Sequence, residues 1–384
     1  MSRIAALIVA AGRGERAGGG VPKQYRPLLG RAMLRRSIDL FARRADIMGV
    51  QVVIGAADQP LYVAATEGLT LYPTLAGGHT RQHSVMHGLE ALAPQRPDFV
   101  LIHDAARPLA SQELIGRVIA ALEDGAEAVV PLLPVGDTLK LRDANGVWHT
   151  VPRDGVYRAQ TPQGFRYDMI QKIHRANAGG DATDDMALAE KLGLKVGTVA
   201  GEETNVKVTT AEDFQTAERL LLGQMGETRT GYGFDAHRFT AGDHVWLCGV
   251  KVAHTHGLEG HSDADAGLHA LTDAILGALG AGDIGQHFPP SDEKWRGASS
   301  DRFLAHAAKL VGDAGGAIVH CDVTLICEAP KIGPHRETMR ARIAQILNFD
   351  VSRVSVKATT TEGMGFTGRR EGLAAQAVAT IRLP

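Results

Sequence analysis

The sequence predicts an α/β protein built from two domains. Three observations lead to this prediction: the length of the chain, the alternation of strand-like and helical runs, and a break in that pattern near residue 228. With 384 residues the chain exceeds what one hydrophobic core usually organises. We therefore expect one domain at residues 1–227 and a second, smaller one at residues 228–384.

The first half is typical of an open, mainly parallel, Rossmann-like sheet covered by helices, because apolar β-rich runs alternate with helical stretches. The strand-like runs are Ile4 to Ala10, Gly49 to Ile54, Phe99 to His103 and Ala128 to Leu133. A helix is predicted from Thr209 to Gly223. The polar segment from Gln224 to Gly231 has no apolar periodicity, and it therefore indicates the domain boundary.

The second half restarts with a different order of elements and repeats nothing from the first. It predicts a strand at Val245 to Val252, a helix from Asp263 to about Gly280 and a strand at Ile318 to Cys327. A helix from His335 to Leu347, a strand at Val354 to Ala358 and a last apolar segment follow. We interpret this half as a second, separate α/β domain.

Composition limits the classes of protein and of partner. The chain is 44% hydrophobic and 22% charged with a net charge of −2, so nothing points to a nucleic acid or a membrane. The three cysteines are odd in number and include no C-x-x-C pair, which favours a reducing, cytoplasmic location. The apolar start could also be read as a signal peptide, but the glycine-rich loop directly after it favours a buried parallel strand.

That loop, Ala10-Ala11-Gly12-Arg13-Gly14, predicts a phosphate site. A strand that turns through glycines exposes backbone N–H groups, which suits a nucleoside triphosphate, and Arg16 and Lys23 supply mobile positive charge. The loop also fits the dinucleotide pattern G-x-G-x-x-A, so a dehydrogenase is an alternative. That motif needs a helix right after the glycines, and Gly18-Gly19-Gly20-Val21-Pro22 breaks any such helix.

A second group of polar residues follows the predicted strand at Phe99 to His103. Asp104 and Arg107 lie at its C-terminal end, where open α/β sheets bind ligands, and the carboxylate is a candidate Mg²⁺ anchor for triphosphate oxygens. Each residue also has a structural interpretation, with Asp104 as a helix cap and Arg107 in a surface ion pair.

Together these residues resemble the 2-C-methyl-D-erythritol 4-phosphate cytidylyltransferase family over residues 1 to about 222. The motifs that carry the resemblance are Ala10-Ala11-Gly12-x-Gly14-x-Arg16, Pro22-Lys23-Gln24-Tyr25, Gly77-Gly78-x-x-Arg81-x-x-Ser84-Val85, His103-Asp104-Ala105-Ala106-Arg107-Pro108 and Asn205-x-Lys207-x-Thr209. The resemblance implies attack of methylerythritol phosphate on the α-phosphorus of CTP, which releases pyrophosphate and needs charge neutralisation.

The resemblance also implies a role for each matching residue. Arg16 and Lys23 would stabilise the transition state, and Asp104 would hold Mg²⁺. The nucleotide would contact Ala10, Ala11, Gly12, Gly14 and Ser84. The methylerythritol phosphate would contact Arg107, Thr138, Arg153 and Lys207, with Arg153 reaching across a dimer interface.

The second half contains a separate set of candidate metal ligands. Asp235 and His237 share a face of an extended segment, while Asp265, His269 and Asp273 are spaced i, i+4 and i+8 on one helix face. One carboxylate and two imidazoles suit a catalytic Zn²⁺ with an open position, and Asp265 or Asp273 could hold the other ring nitrogen of His269. The alternative is a surface helix with scattered His and Asp.

These residues resemble the 2-C-methyl-D-erythritol 2,4-cyclodiphosphate synthase family over residues 230 to 384. The motifs are Gly233-Phe234-Asp235-x-His237, His261-Ser262-Asp263-x-Asp265-x-x-x-His269, Gly282-Asp283-Ile284-Gly285, Ala329-Pro330-Lys331, Lys357-Ala358-Thr359-Thr360-Thr361-Glu362 and Gly365-Phe366-Thr367-Gly368-Arg369. The implied reaction is attack of the 2-phosphate of CDP-methylerythritol 2-phosphate on its own β-phosphate, with loss of CMP. One departure is Pro290, at a position that can be Asp, so a hydroxyl contact there is lost or passed to Asp292.

This second resemblance assigns Asp235, His237 and His269 to Zn²⁺ or another divalent cation, and Glu362 to a Mg²⁺ on the diphosphate. His261 and Thr360 would stabilise the transition state. The substrate would contact Ser262, Asp283, Gly285, Phe366 and Arg369. The cytidine diphosphate would contact Ala329, Pro330, Lys331, Thr359 and Thr361.

The two resemblances also imply an assembly. Members of the second family form trimers and members of the first form dimers, so one chain with both predicts a homo-oligomer as large as a hexamer. A kinase must act between the two reactions, and the chain has no G-x-x-x-x-G-K-[ST] motif, so we expect a separate kinase to associate with it. The alternative function is a nucleotidyltransferase for another polyol phosphate, fused to a non-catalytic metal-binding oligomerisation domain.

Overall fold

The structure is a computed structural model that describes residues 2–12, 20–182, 184–289, 295 and 297–384. The chain divides into two compact units, Met1–Arg26 with Ala32–Ala217, and Pro27–Arg31 with Glu218–Pro384. Each unit is α/β, as predicted. Among the described helices, none combines the length and apolar composition that a membrane crossing needs.

The first unit is organised around one large sheet. In chain order, the strands up to residue 200 are β1 (Ile4–Ala10), β2 (Pro27–Leu28), β3 (Arg31–Ala32), β4 (Ile47–Ile54), β5 (Leu75–Ala76), β6 (Phe99–Asp104), β7 (Ala128–Pro134), β8 (Leu139–Arg142), β9 (Trp148–Val151), β10 (Tyr157–Ala159), β11 (Gln163–Arg166) and β12 (Val196–Ala200). The helices up to residue 224 are α1 (Met33–Ala42), α2 (Gln59–Thr66), α3 (Arg81–Leu92), α4 (Gln112–Glu123), α5 (Tyr167–Ala176), α6 (Asp185–Lys191) and α7 (Ala211–Gln224), and the first unit ends within α7, at Ala217.

The sheet has the order β10-β7-β11-β6-β1-β4-β5, with β12 paired to β7. Strand β1 pairs in parallel with β4 and β6, and β4 with β5, whereas β10 and β11 are antiparallel to their neighbours. The prediction of a mainly parallel sheet is therefore confirmed. Strands β8 and β9 form a separate two-stranded arm.

Strand β1 is buried on both faces, which explains its continuous apolar sequence. Its side chains alternate between two cores: Ile8 packs with Phe41 of α1 on one face, and Leu7 packs with Leu89 of α3 on the other. Because β1 and β6 run in parallel and Val9 pairs with Asp104, their carboxyl ends meet at one edge of the sheet. This edge carries the first set of predicted site residues.

The second unit has a five-stranded sheet in the order β16-β13-β19-β17-β18 and a separate hairpin of β14 and β15. Its strands are β13 (Glu227–Ala241), β14 (His244–Leu247), β15 (Val250–Ala253), β16 (His256–Leu258), β17 (Ala317–Ile326), β18 (Val354–Thr359) and β19 (Gly372–Leu383). Its helices are α8 (Ala266–Leu279), α9 (Ile284–His287), α10 (Asp301–Asp313), α11 (Arg336–Leu347) and α12 (Gly365–Gly368).

Two local predictions for this unit were wrong. The expected single strand at residues 245–252 is a hairpin, because Cys248 and Gly249 adopt positive φ angles of 52° and 75° and reverse the chain. The expected polar linker at residues 224–231 is in part strand, since β13 begins at Glu227. The exposed residues of β13 in this segment are polar, so the segment shows little of the apolar–polar alternation that marks a half-buried strand.

Strand β13 lies unusually close to helix α8. A Cβ atom on Gly233 would lie 1.9 Å from the carbonyl oxygen of Ala270, and one on Gly231 would lie 2.0 Å from that of Ala274. Only glycine permits this approach. It brings Asp235 and His237, which follow Gly233 on the strand, next to His269 on the helix.

Candidate functional site

The predicted residues of the first unit lie around Asp104, the last residue of β6. Its two carboxylate oxygens are both paired: Oδ2 lies 2.7 Å from Nζ of Lys207, and Oδ1 lies 3.3 Å from Nε of Arg81. Burial opposes ionisation of Asp104, but the charges of Arg81 and Lys207 outweigh it and lower the pKa of the carboxyl. The strand end therefore holds an ionised carboxylate between two cations.

The sequence reasoning gave no role to the buried carboxylate behind Arg81. Nη1 of Arg81 donates to Oδ2 of Asp185 at 2.7 Å, and Nε2 of His174 lies 3.1 Å from Oδ1 of the same carboxylate. Asp185 is almost fully buried and begins α6. The acidic pair Asp184-Asp185 before an apolar helical run was the available signal, but it reads equally well as a helix cap.

The turn after Asp104 is held by a buried histidine. Nε2 of His103 donates to the carbonyl oxygen of Arg107 at 2.9 Å, so Nδ1 accepts from the hydroxyl of Thr161 at 3.1 Å. The Thr161 oxygen in turn accepts the N–H of Asp104. Burial lowers the pKa of His103 to about 4, so the ring is neutral near pH 7.

The other predicted residues of this unit are placed as follows. Nζ of Lys23 donates to the carbonyl oxygen of Val208 at 2.9 Å, and the buried hydroxyl of Ser84 donates to the carbonyl oxygen of Thr80. Nη1 of Arg107 donates to the carbonyl oxygen of Asn205 at 2.7 Å. Ala10 ends β1, and Ala11 and Gly12 follow it, while Gly14 and Arg16 lie outside the described residues.

Thr138 and Arg153 lie next to the β8–β9 arm rather than against Asp104. Both side chains are exposed, and Nη1 of Arg153 donates to the carbonyl oxygen of Gly136. Within the described part of this unit, the structure brings together Asp104 and Lys207 among the predicted residues, and no hydrogen bond connects Thr138 or Arg153 to that pair.

The predicted metal ligands of the second unit converge. Oδ2 of Asp235 lies 2.9 Å from both Nε2 of His237 and Nδ1 of His269, and the two ring nitrogens are 3.3 Å apart. They form the one cluster of three His, Cys, Asp or Glu side chains with metal-ligand spacing in the described chain. Burial opposes ionisation of Asp235, but its hydrogen bonds to the two histidines outweigh it and lower the pKa of the carboxyl.

The chemistry of this donor set fits a divalent cation. Nδ1 of His237 lies 2.9 Å from the carbonyl oxygen of Glu259, which can only accept, so Nδ1 carries a proton and Nε2, the nitrogen beside Asp235, is the one that can bind a cation. Two nitrogens and one carboxylate oxygen at these distances match the ligands that zinc prefers. The trio therefore fits the metal that the resemblance implies.

The prediction that Asp265 or Asp273 contacts the second ring nitrogen of His269 was wrong. Asp265 instead caps α8 and accepts the backbone N–H groups of Cys248 and Gly249, and Asp273 accepts the N–H of Ile284 at 2.7 Å. The atoms that face Nε2 of His269 are the hydroxyls of Ser262 at 3.1 Å and Ser300 at 2.9 Å. The side chains one turn before and after His269 point past its ring to other segments.

Further predicted residues lie on three loops of the second unit. Asp283 caps α9, where Gly285 is exposed, and His261 is also exposed. Thr361 donates its N–H to Oε1 of Glu328, a residue that the sequence reasoning missed. The hydroxyl of Thr360 donates to Oε1 of Glu362 at 2.6 Å, so Glu362 is one exposed carboxylate next to a hydroxyl.

The remaining candidate residues are exposed or half-buried. Phe366 is exposed on α12, and Arg369 pairs with Glu371. Half-buried or exposed positions are found for Ala329, Pro330, Lys331 and Thr359. Pro290 and Asp292 lie outside the described residues.

Two family models match the chain. The model described as 2-C-methyl-D-erythritol 4-phosphate cytidylyltransferase matches residues 4–223, and the model of the YgbB family matches residues 228–382. These ranges leave four residues between them, and the domain limits 1–227 and 228–384 stay a prediction.

Relatives and a solved structure are similar over long stretches. A relative named bifunctional enzyme IspD/IspF, from Rhodospirillum rubrum, is 56% identical and the match covers 100% of both chains. One of the same name from Bradyrhizobium diazoefficiens is 54% identical over 100% of this chain and 97% of the relative. A solved structure of 4-diphosphocytidyl-2C-methyl-D-erythritol synthase from Anaerococcus prevotii is 32% identical, with a TM-score of 0.51, over 57% of this chain and 96% of that one.

The match to these relatives runs the full length of the chain, and both family models account for almost all of it. The chain therefore belongs to the family of bifunctional IspD/IspF enzymes.

Proposed function

We propose that the first unit transfers the cytidylyl group of CTP to 2-C-methyl-D-erythritol 4-phosphate, and that the second closes CDP-methylerythritol 2-phosphate to the 2,4-cyclodiphosphate. The chain is a bifunctional enzyme of non-mevalonate isoprenoid precursor synthesis. The observation that carries the proposal for the second unit is the convergence of Asp235, His237 and His269 on one point. The alternative, a nucleotidyltransferase fused to a non-catalytic metal-binding oligomerisation domain, would also account for such a trio, and it is the bifunctional relatives matching the whole chain that disfavour it.

In the first reaction, an oxygen of the methylerythritol phosphate would form a bond to the α-phosphorus of CTP as the bond to pyrophosphate breaks. Charge builds up on the phosphate oxygens, and catalysis rests on positioning and on neutralising that charge. Arg16 and Lys23 are proposed to do this. Arg107 and Lys207, on the edge that carries Asp104, are proposed to hold the acceptor phosphate, with Thr138 and Arg153.

The proposed role of Asp104 as a Mg²⁺ ligand has little support in its geometry. Both of its oxygens are engaged by Arg81 and Lys207, so the side chain does not fit a metal as it stands. Its contacts support an orienting role instead, since a carboxylate between two cations fixes where both can reach a phosphate.

In the second reaction, an oxygen of the 2-phosphate would attack the β-phosphorus, and the bond to CMP would break. A zinc ion held by Asp235, His237 and His269 would supply Lewis-acid polarisation of the diphosphate. Ser262, which contacts His269, is proposed to bind the substrate, together with Asp283 and Gly285. His261 and Thr360 are proposed to stabilise the transition state.

A second cation, Mg²⁺, is proposed at Glu362. Mg²⁺ is usually held by one or two carboxylates together with substrate phosphates, and one exposed carboxylate meets that need. Cytidine diphosphate binding is proposed for Ala329 to Lys331 and for Thr359 and Thr361, with Phe366 and Arg369 nearby.

Two exposed apolar surfaces support an oligomer. Tyr232 and Phe234 of β13 and Val378 of β19 are exposed on the sheet face away from α8, and Leu141 and Trp148 are exposed on the arm. Apolar side chains in such numbers on one surface favour protein contacts. We propose trimer contacts through the first surface and dimer contacts through the second, and native mass spectrometry tests the resulting hexamer.

The association with the intermediate kinase and the cytoplasmic location stay predictions. The first rests on the missing step between the two reactions, and the second rests on the three buried thiols, which form no disulfide. Co-elution of the purified kinase with this protein at micromolar concentration would support the association, whereas independent elution would contradict it.

Phosphorus NMR tests both activities directly. We expect pyrophosphate when the protein is mixed with CTP and methylerythritol phosphate, and a cyclic diphosphate when it is mixed with CDP-methylerythritol 2-phosphate. Lys23→Ala should abolish the first reaction and spare the second, and His269→Ala should do the reverse. Loss of both activities in either variant, or of neither, would contradict a model of two separate sites.

A further inference from the structure

Ser300 occupies a helix cap position but does not cap the helix. It is the residue before α10, where a serine hydroxyl usually accepts a backbone N–H of the first turn. Here the backbone of Ser300 is already helical, with φ −67° and ψ −15°, and its hydroxyl makes no such bond. The side chain is fully buried, so its hydroxyl must be used elsewhere.

The hydroxyl of Ser300 lies between a carboxylate and an imidazole. The carboxylate of Asp263 accepts from Ser300 twice, from the backbone N–H at 3.0 Å and from the hydroxyl. On its other side the Ser300 oxygen lies 2.9 Å from Nε2 of His269. Two backbone bonds, Gly297 N–H to His261 and Asp263 N–H to Ala298, hold the two segments together.

The direction of each hydrogen bond follows from the carboxylate. An ionised carboxylate only accepts, so the Ser300 hydroxyl donates its single proton to Asp263. The Ser300 oxygen can then only accept from Nε2 of His269, which must carry a proton. With Nε2 protonated, Nδ1, which lies 2.9 Å from Oδ2 of Asp235, is the nitrogen left to offer a lone pair to a cation. Without a cation, Nδ1 can carry a second proton and donate it to Asp235.

We propose that Asp263 and Ser300 are positioning residues that fix His269 in its Nε2–H form and so direct the Nδ1 lone pair to the metal. Ser300 would accept the N–H of the His269 nitrogen that faces away from the metal, just as the carbonyl oxygen of Glu259 accepts the Nδ1–H of His237. The inference rests on the proposed zinc site of the second unit. Ser300 contacts the His269 nitrogen that faces away from Asp235, and Asp263 acts on that ring only through Ser300.

Two measurements on the full-length protein test this proposal: its zinc affinity and the tautomer (the ring form) of the His269 imidazole. Removing an outer partner of a metal-bound histidine typically weakens metal binding about 10–100-fold. We expect that loss in Ser300→Ala, measured by competition with a chelator of known affinity. The exposed neighbour Ser299 provides the matched control, and Ser299→Ala should bind zinc like the unchanged protein.

The tautomer is read from nitrogen NMR of labelled histidine in metal-free Asp235→Ala, in which no carboxylate competes for a proton on Nδ1. We expect the Nε2–H form of His269 in this variant, and also when Ser300→Thr, which keeps the hydroxyl, is added to it. Asp263→Asn should favour the opposite form, because its amide NH₂ would donate to Ser300, whose hydroxyl proton would then point to Nε2. A residue that only supported the fold would leave the ring form unchanged.

The outcomes distinguish failure of the proposed zinc site from failure of the positioning role. If the unchanged protein binds no zinc at this trio, the metal proposal fails. If it binds zinc but Ser300→Ala binds it equally well, or if His269 carries its proton on Nδ1 in Asp235→Ala, the positioning role fails and the metal site stands. Should Ser300→Ala fold poorly, Asp263→Asn and the NMR of Asp235→Ala still decide.

Discussion

The close approach of β13 to α8 gives a sharp prediction for Gly233→Ala. The new Cβ would lie 1.9 Å from the carbonyl oxygen of Ala270, whereas ordinary contact begins at 3.4 Å. The strand and the helix must therefore separate by up to 1.5 Å, the difference between these two distances. The obstacle is backbone in a helix, so no side-chain rotation can relieve the clash.

Two effects follow from that separation. Overpacking of this kind typically costs about 1–3 kcal/mol of folding free energy. Asp235 and His237 follow Gly233 on the strand and would move away from His269, and misplacement by about 1 Å can lower a rate about 100-fold. We expect Gly233→Ala to lose most of its zinc affinity and about 100-fold of the cyclodiphosphate synthase rate, while the cytidylyltransferase rate is unchanged.

The control for this variant is Gly277→Ala on the same helix. A Cβ at Gly277 meets nothing within 4 Å, so alanine there should raise helix stability by about 1 kcal/mol and leave zinc binding unchanged. Amide hydrogen exchange of α8 measures both stabilities, and chelator competition measures zinc binding. A Gly233→Ala protein with unchanged exchange and unchanged zinc affinity would refute the reasoning.

Three further results are expected. Asp185→Asn should destabilise the first unit by about 3 kcal/mol in urea denaturation, because it removes the closer of the two carboxylates that pair with the half-buried Arg81 guanidinium and leaves only Asp104. The exposed Asp181→Asn should be neutral, and equal midpoints of the two variants would contradict the pairing. His103 binds a proton below pH 6.5 when the protein is unfolded but only below about pH 4 when it is folded. The free energy of unfolding should therefore fall as the pH decreases across that window, by up to about 1.4 kcal/mol per pH unit. A His103→Asn variant should lack this component of the slope. Removing zinc with a chelator should lower the free energy of unfolding of the second unit by about 2.7 kcal/mol, compared with the protein at a free zinc concentration 100 times the dissociation constant. The cytidylyltransferase rate should not change. Loss of both activities would argue against separate sites.

The features that could be predicted from the sequence are those that depend on local patterns of apolar and polar residues. Apolar runs predicted strands β1, β4, β6 and β7 and helices α7 and α11 with small errors at their ends. Spacing alone left the metal trio open, and the resemblance to the second family assigned it. The structure then brought that trio together across β13 and α8, because two glycines allow the contact. Sequence periodicity contains no information about such distances.

The partners of the predicted residues could not be read from the chain. Ser300 precedes an acidic residue at a helix start, so local rules assign its hydroxyl to capping, although that hydroxyl contacts His269, 31 residues earlier in the chain. Asp265 and Asp273 share a helix face with His269, yet their side chains bind other segments. Tertiary contacts decided each of these cases, and local propensity could not anticipate them.

Helix α8 joins three parts of the second unit through Asp265, His269 and Asp273, which bind the turn at Cys248 and Gly249, the metal trio and the start of α9. Parts tied to one helix lose their anchors together when that helix opens, and they form a single cooperative unit. The metal trio and the proposed substrate-binding turn at Asp283 and Gly285 should therefore appear together during folding and disappear together on local opening. A protein that has lost one of them by partial unfolding will have lost the other as well.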